Sequence, residues 1–255
     1  MRAEFYACPK DPFDCQPLAN SWYEPCKRLA ECCGALVLLV LTAPLILLAA
    51  VLVKLTSRGP AFYSQTRLGR NGRPFTIYKI RTMVHNCESQ TGVRWATYQD
   101  SRITAVGRFL RRTHLDELPQ LWNVVRGDMS LVGPRPERPE IVVHLESAVP
   151  HYRDRLLVRP GLTGLAQIHL PADTDLESVR RKLVYDLYYL RRVSLWLDLQ
   201  VVLGTLAYLA GIPAAWSFRL FRLPSPEVIE CPFHDLTWNI PPVARLLSGS
   251  IMEIS

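Results

Sequence analysis

The run CCGALVLLVLTAPLILLAAVLV, residues 32–53, holds 22 consecutive residues without a charge. About 20 apolar residues carry a helix across a bilayer. The run is no secretory leader: it starts late, is too long, and follows Asp11, Asp14, Glu24 and Glu31. A core helix of a soluble protein would keep a polar face, and this run has none, so the segment enters lipid. Pro44, at its centre, removes one helical hydrogen bond and bends the chain. Lys27 and Arg28 before it, and Lys54, Arg58 and Arg67 after it, nearly cancel the bias that orients a spanning helix. Two geometries stay open here, a span that tolerates its proline and a helix that dips in and returns to the same face.

Outward from this segment the chain turns basic. It has 255 residues and a formal charge of +7, and 25 of its 30 basic residues are arginine. Arginine grips phosphate or carboxylate bidentately, although an arginine-rich genome gives the same composition. Arg58 to Arg112 alone carries +9 against −2 for the rest, which places an anionic partner nearby. Zinc-finger spacing, a helix-turn-helix signal and RNP-type aromatics are missing from the basic stretch, which argues against nucleic acid and for the phosphates of a small molecule, of lipid, or both. Seven cysteines without a C-x-x-C pair read as reduced thiols facing a cytosol.

Local patterns give a mixed α/β fold, mostly helical. Two β-prone runs, 61–65 and 74–81, flank Asn71-Gly72, a hairpin signal. Residues 84–102 are polar and read as a mobile loop. Leu118, Leu121, Trp122 and Val125 mark one helix face, and Pro119, acceptable only in a first turn, starts that helix close to Asp116. Leu176 to Leu190 is amphipathic, with Thr174 as cap and Glu177 three residues on. Residues 199–216 are apolar but interrupted by Gly204, Gly211 and Pro213, as expected of an interfacial or docking helix. The chain beyond 213, with Pro224, Pro226, Pro232, Pro241 and Pro242, reads as an irregular tail. The divisions expected are an extension at 1–26, a membrane helix at 27–56, a catalytic domain at 57–212 and the tail at 213–255.

Asp116 and Glu117 sit side by side in RRTHLDELPQLWNVV, residues 111–125. Acids at a helix N-terminus are often mere dipole complements. Placed downstream of the basic stretch, they also suit a nucleophile or Mg²⁺ ligand, and carboxylates amid arginines are expected to stay ionised.

TRLGRNGRPFTIYKIRTM, HLDELPQLWNVVRGDMSLVGPRPERPE, VRPGLTGLAQI and VYDLYYLRRVSLWLDLQVV, in this order behind an apolar segment, resemble the bacterial sugar transferases, the monotopic polyprenyl-phosphate phosphoglycosyl transferases. The resemblance covers roughly residues 27–210. It implies that Asp116 attacks the β-phosphorus of a UDP-sugar, that Glu117 helps hold Mg²⁺ beside Asp116, and that Arg111 and Arg135 steady phosphate. Lys79, Arg81 and Arg159 are further candidates for phosphate or nucleotide-sugar binding. The acceptor implied is polyprenyl (undecaprenyl) phosphate, at the cytoplasmic face of a bacterial inner membrane; a homo-oligomer is compatible with it. It also tips the apolar helix toward re-entrance, broken at Ala43-Pro44. Two departures stand out. The family's break is typically Ser-Pro, leaving Thr42 as a substitute hydroxyl, and His169, Leu170 and Pro171 replace an Asn-Gly-Arg segment. Two rival readings remain: a DxD-type metal-dependent glycosyltransferase using Asp173 to Asp175, and a non-catalytic scaffold binding anionic lipid.

Overall fold

The computed structural model describes residues 22–87, 100–171, 173 and 175–233, with the side chains of 214, 215 and 233 left aside. Most of the segment expected as a mobile loop, at 88–99, lies outside them.

The apolar segment forms α1, Tyr23–Thr56, one 34-residue helix with Pro44 inside, long and apolar enough to cross a membrane. It begins four residues before the expected boundary at 27. Both ends of α1 pack against the same body. Ala35 is buried with Ile77, Leu121, Val124 and Met129, while Ala49 and Val53 are buried with Ile80 and Leu110. The opposite face, including Leu41, Leu47 and Leu55, is exposed. Thr42 does not replace the missing serine: its Oγ1 donates to Leu38 O at 2.7 Å, whereas proline at 44 frees the carbonyl of Val40.

Polar contacts fasten the first turns of α1. Tyr23 Oη and Tyr189 Oη each donate to Asp198 at 2.6 Å, and Lys27 Nζ lies 2.7 Å from Asp198 Oδ2. One turn on, Glu31 accepts from Ser130 Oγ at 2.7 Å and from Leu131 N at 3.1 Å. Burying these groups is tolerable because each is paired.

The expected hairpin forms from β1, Phe62–Leu68, and β2, Pro74–Ile80, antiparallel with Phe62 opposite Ile80 and Thr66 opposite Thr76. Asn71, at φ 57°, and Gly72, at φ 73°, supply the left-handed turn conformations. Then follow α2, Ala105–Arg112, a 3₁₀ segment, Leu115–Gln120, and α3, Leu121–Arg126. β3, Ser130–Val132, pairs in parallel with β4, Gly161–Thr163. Between them lie α4, Pro139–Ala148, and a 3₁₀ segment, Tyr152–Leu157. A Cβ on Gly161 would lie 2.1 Å from Gly133 N, so this close strand crossing requires glycine. Short α5, Leu165–His169, leads to α6, Leu176–Arg191, then α7, Leu195–Leu209.

α6 departs from its amphipathic reading. All eight residues from Leu183 to Leu190 are buried, so it is the central core helix, packed with Val142, Leu145, Leu165 and Val201. Some of its buried polar members are paired across the core, as Asp186 is with Arg155 at 2.7 Å. Its cap is Asp175, which accepts from Ser178 N at 2.8 Å; Thr174 is not among the described residues. The stretch 199–216 is split, because α7 ends at Leu209 and α8, Ala214–Phe221, begins after Pro213. Leu195, Trp196, Leu206 and Tyr208 on α7, with Trp216 and Leu220 on α8, are exposed.

The expected irregular tail is corrected over its first part. α8 and α9, Pro226–Glu230, are ordered, and Leu223 and Ile229 enter the main core. Pro226 occupies the first turn of α9, where a missing N–H costs nothing.

Candidate active site

Pro119 decides the backbone that carries the acid pair. In an α-helix its nitrogen would have to bond Leu115 O and its ring would strike that carbonyl. The chain instead tightens into the 3₁₀ segment and becomes α-helical only at Leu121. His114, left-handed at φ 56°, turns the chain into this segment after α2, so Asp116 and Glu117 occupy its first turn. The start of α2 is held because Gly107 N donates to Thr104 Oγ1 at 2.9 Å; a Cβ on Gly107 would fall 1.9 Å from Thr82 O.

The buried face here follows the apolar spacing at Leu118, Leu121 and Val125 and departs from it at two positions. Trp122 is 47% exposed, whereas Asn123 is fully buried, donating from Nδ2 to Thr76 O at 2.7 Å. Asn123 thereby ties the acid-pair segment to β2. Hydrophobic periodicity passes over such a residue; the only cue is one amide amid apolar neighbours.

Glu117 is the anchored member of the pair. Lys79 Nζ, from β2, donates to its Oε1 at 2.7 Å. Arg135 forks across both oxygens, with Nη1 to Oε2 at 3.3 Å. Burial alone would raise the Glu117 carboxyl, but Arg135 and Lys79 outweigh it and hold it well below the ordinary range. Arg135 is raised in return, chiefly by the charge of Glu117. Burial pulls Lys79 down against the opposing pull of Glu117.

Asp116 is 7% exposed, and no described residue gives it a hydrogen bond or an ion pair. Burial, followed by the charge of Glu117, pushes its carboxyl up to about 6, with Lys79 and Arg111 opposing. Both acids thus remain ionised at neutral pH, as expected, although the surrounding cations lower only Glu117. Desolvation wins at Asp116 because the nearest cations are spent on its neighbour.

Arg111, on α2, is near enough for Asp116 to resist the lowering of its guanidinium by burial, and its Nε donates to Thr82 Oγ1 at 2.8 Å. The other two expected arginines do not join the group. Arg81 donates from Nη2 to Ser57 Oγ at 2.8 Å and from Nη1 to Arg58 O, closing the end of α1 onto β2. Arg159 lies 3.8 Å from Glu24 at the far end of α1, beside a cavity lined by Tyr23, Lys27 and Arg70. The DxD acids are also occupied, since Lys182 Nζ donates to Asp173 at 2.6 Å and Asp175 caps α6. His169, in the departing segment, stacks on Phe218 with ring centroids 4.3 Å apart, packing α5 against the C-terminal helices.

Mg²⁺ is usually held by one or two carboxylates plus substrate phosphates. Asp116 is free, and Glu117 Oε2 carries only a long contact from Arg135, so the pair fits such an ion if phosphate oxygens complete its shell. Among the described residues no group of three His, Cys, Asp or Glu side chains stands ready to hold a metal.

A helix long and apolar enough to cross a membrane lies on a basic domain that holds one anchored and one unpaired acid side by side. The sequence model of the family described as bacterial sugar transferase matches residues 22–211, and this chain belongs to that family. It is 42% identical over 189 residues to a UDP-N-acetylgalactosamine-undecaprenyl-phosphate N-acetylgalactosaminephosphotransferase of Aeromonas hydrophila, covering 74% of this chain and 44% of that one. It is 48% identical over 181 residues to a UDP-glucose:undecaprenyl-phosphate glucose-1-phosphate transferase of Caulobacter vibrioides, covering 70% and 67%. The exopolysaccharide production protein PSS of Rhizobium leguminosarum bv. phaseoli is 40% identical over 185 residues, with coverages of 70% and 92%. Against the Aeromonas relative and a glucose-1-phosphate transferase of Xanthomonas campestris the match spans less than half of the relative's length, 44% and 41%.

Proposed function

We propose that this chain transfers a phosphosugar from a UDP-sugar to polyprenyl phosphate through a covalent intermediate on Asp116. The observation that carries the reading is the division of labour in the acid pair: Glu117 is anchored by Lys79 and Arg135, chiefly through Oε1, while Asp116 is buried and unpaired. An ionised carboxylate with a raised pKa and few hydrogen bonds is the better nucleophile of the two. An Asp116 oxygen attacks the β-phosphorus of the donor, and the bond from that phosphorus to UMP breaks. The polyprenyl phosphate oxygen then attacks the same phosphorus, the aspartyl oxygen leaves, and polyprenyl-diphospho-sugar results. Arg111 and Arg135 offset the phosphate charge, with Lys79 behind them. Mg²⁺, held by Asp116 and Glu117, would supply further neutralisation at the diphosphate.

Incubating the protein with UDP-sugar labelled in the sugar, without acceptor, tests this. One label per chain is expected, absent from Asp116→Asn and discharged by polyprenyl phosphate with UMP release. Asp173→Asn should retain most activity. Sugar transfer with UDP release and dependence on Asp173 would favour the DxD reading instead.

The packing of both ends of α1 on one body supports a helix that enters and leaves on the same, cytoplasmic face, and the exposed tryptophans of α7 and α8 suit an interfacial position. In sealed inverted vesicles of a cysteine-free variant, single cysteines placed on either side of residues 32–53 should both react with an impermeant thiol reagent. Protection of one flank would mean a spanning helix.

A further inference from the structure

We infer that Arg155 is a positioning residue for the proposed transfer, holding Arg135 in place through its backbone carbonyl; this rests on the reading of Asp116 and Glu117 above. Arg135 lies in Pro134-Arg135-Pro136, and prolines have no N–H to tie such a segment down. The residue before a proline is also kept extended, so no helical bond is available to fix it. The segment is fixed by its carbonyls instead. Three successive ones each accept from a different element: Pro134 O from Gly161 N at 2.8 Å, Arg135 O from Arg155 Nη2 at 3.0 Å, and Pro136 O from Arg67 Nη1 at 3.3 Å. Only the middle bond acts on the residue whose guanidinium forks Glu117.

Arg155 is itself held rigidly. It is 3% exposed, its Nε donates to Asp186 Oδ2 at 3.0 Å, and its Nη1 donates to Tyr152 Oη at 2.7 Å. Asp186 and Tyr152 are equally buried. A lysine could keep the pairing with Asp186, but its single ammonium lacks the planar fork that reaches Asp186, Tyr152 and Arg135 O together. A buried charge that bonds the backbone of a phosphate-site arginine is worth its desolvation where small displacements of that arginine slow the reaction.

The experiment compares Arg155→Lys with Tyr152→Phe in the full-length protein, assayed for UMP release with UDP-sugar and polyprenyl phosphate, with melting temperature measured in parallel. Arg155→Lys should lower kcat at least tenfold with the donor KM within twofold. Tyr152→Phe, which removes a bond of Arg155 but none to Arg135, should lower the melting temperature comparably and leave kcat within twofold. Equal kcat losses in the two variants, or kcat within twofold of wild type for Arg155→Lys, would overturn the inference. Should Arg155→Lys not fold, Asp186→Asn decides: a kcat loss of at least threefold at unchanged KM supports the tether, and unchanged kcat refutes it. Absence of UMP release from wild-type protein would remove the parent reading, an outcome distinct from either.

Discussion

Asp116→Asn is expected to abolish turnover and, in the same protein, to raise the melting temperature at neutral pH. The first effect follows from losing the nucleophile, at least about a thousandfold. The second follows from linkage. Burial and Glu117 raise the Asp116 carboxyl from 3.8 to about 6 in the folded chain. A group raised on folding stabilises fully below its unfolded value and loses that contribution as pH rises through the folded one. At pH 7.5 the ionised aspartate therefore costs the fold about 2–3 kcal/mol, at about 1.4 kcal/mol per unit. Asparagine carries no such cost. In chelator-containing buffer without nucleotide, the Asn variant should melt about 5–10 °C higher at pH 7.5, at about 2–4 °C per kcal/mol for a chain of this size. The gap should close as pH falls from 6 toward 4. A gap that ignores pH, or a less stable Asn variant, would contradict the placement of Asp116 as an uncompensated buried acid. The same ionisation predicts that catalysis falls about tenfold per pH unit below 6.

Asp198→Ala should be among the most destabilising single changes outside the active site. Asp198 is 8% exposed and receives Tyr23, Tyr189 and Lys27 at 2.6–2.7 Å. Removing one partner of a buried ion pair costs about 3–5 kcal/mol, because the other charge stays behind without compensation. Lys27 retains Glu31 at 3.7 Å and the carbonyl of Val132, which places the loss near 3 kcal/mol, or about 6–12 °C. The double variant Lys27→Met with Asp198→Leu should recover part of it, since well-packed apolar pairs often match buried ion pairs. A loss below about 1 kcal/mol for Asp198→Ala would mean that packing alone docks α1.

Local sequence rules worked where the deciding physics was local. Asn71-Gly72 called for left-handed turn residues and the hairpin formed around them, and Asp116 and Glu117 were visible as an oddity before any fold was known. The rules missed what depends on distant partners. α6 reads as amphipathic because Arg180, Asp186 and the tyrosines look polar along the chain, yet Asp186 finds Arg155 thirty-one positions away. Arg81 and Arg159 resembled phosphate ligands by residue type, but neighbouring backbone and Glu24 claim them. Prolines beyond 213 suggest an irregular tail, while Pro226 merely starts a helix. Arg155 carried no local signal at all, since its importance lies in which carbonyl it reaches.

The clasp on the first turns of α1 also bears on how the chain is made. Tyr23 leaves the ribosome 175 residues before Asp198, the group that satisfies both it and Lys27. At about 5–20 residues per second, that is a wait of roughly 10 to 35 s. Throughout it the greasy helix exists without the receptor for its charged end. No nascent chain that stops before Asp198 can seat α1 as the finished protein does, so the seating of the helix is a late event in biogenesis, settled only once Asp198 of α7 has been synthesised.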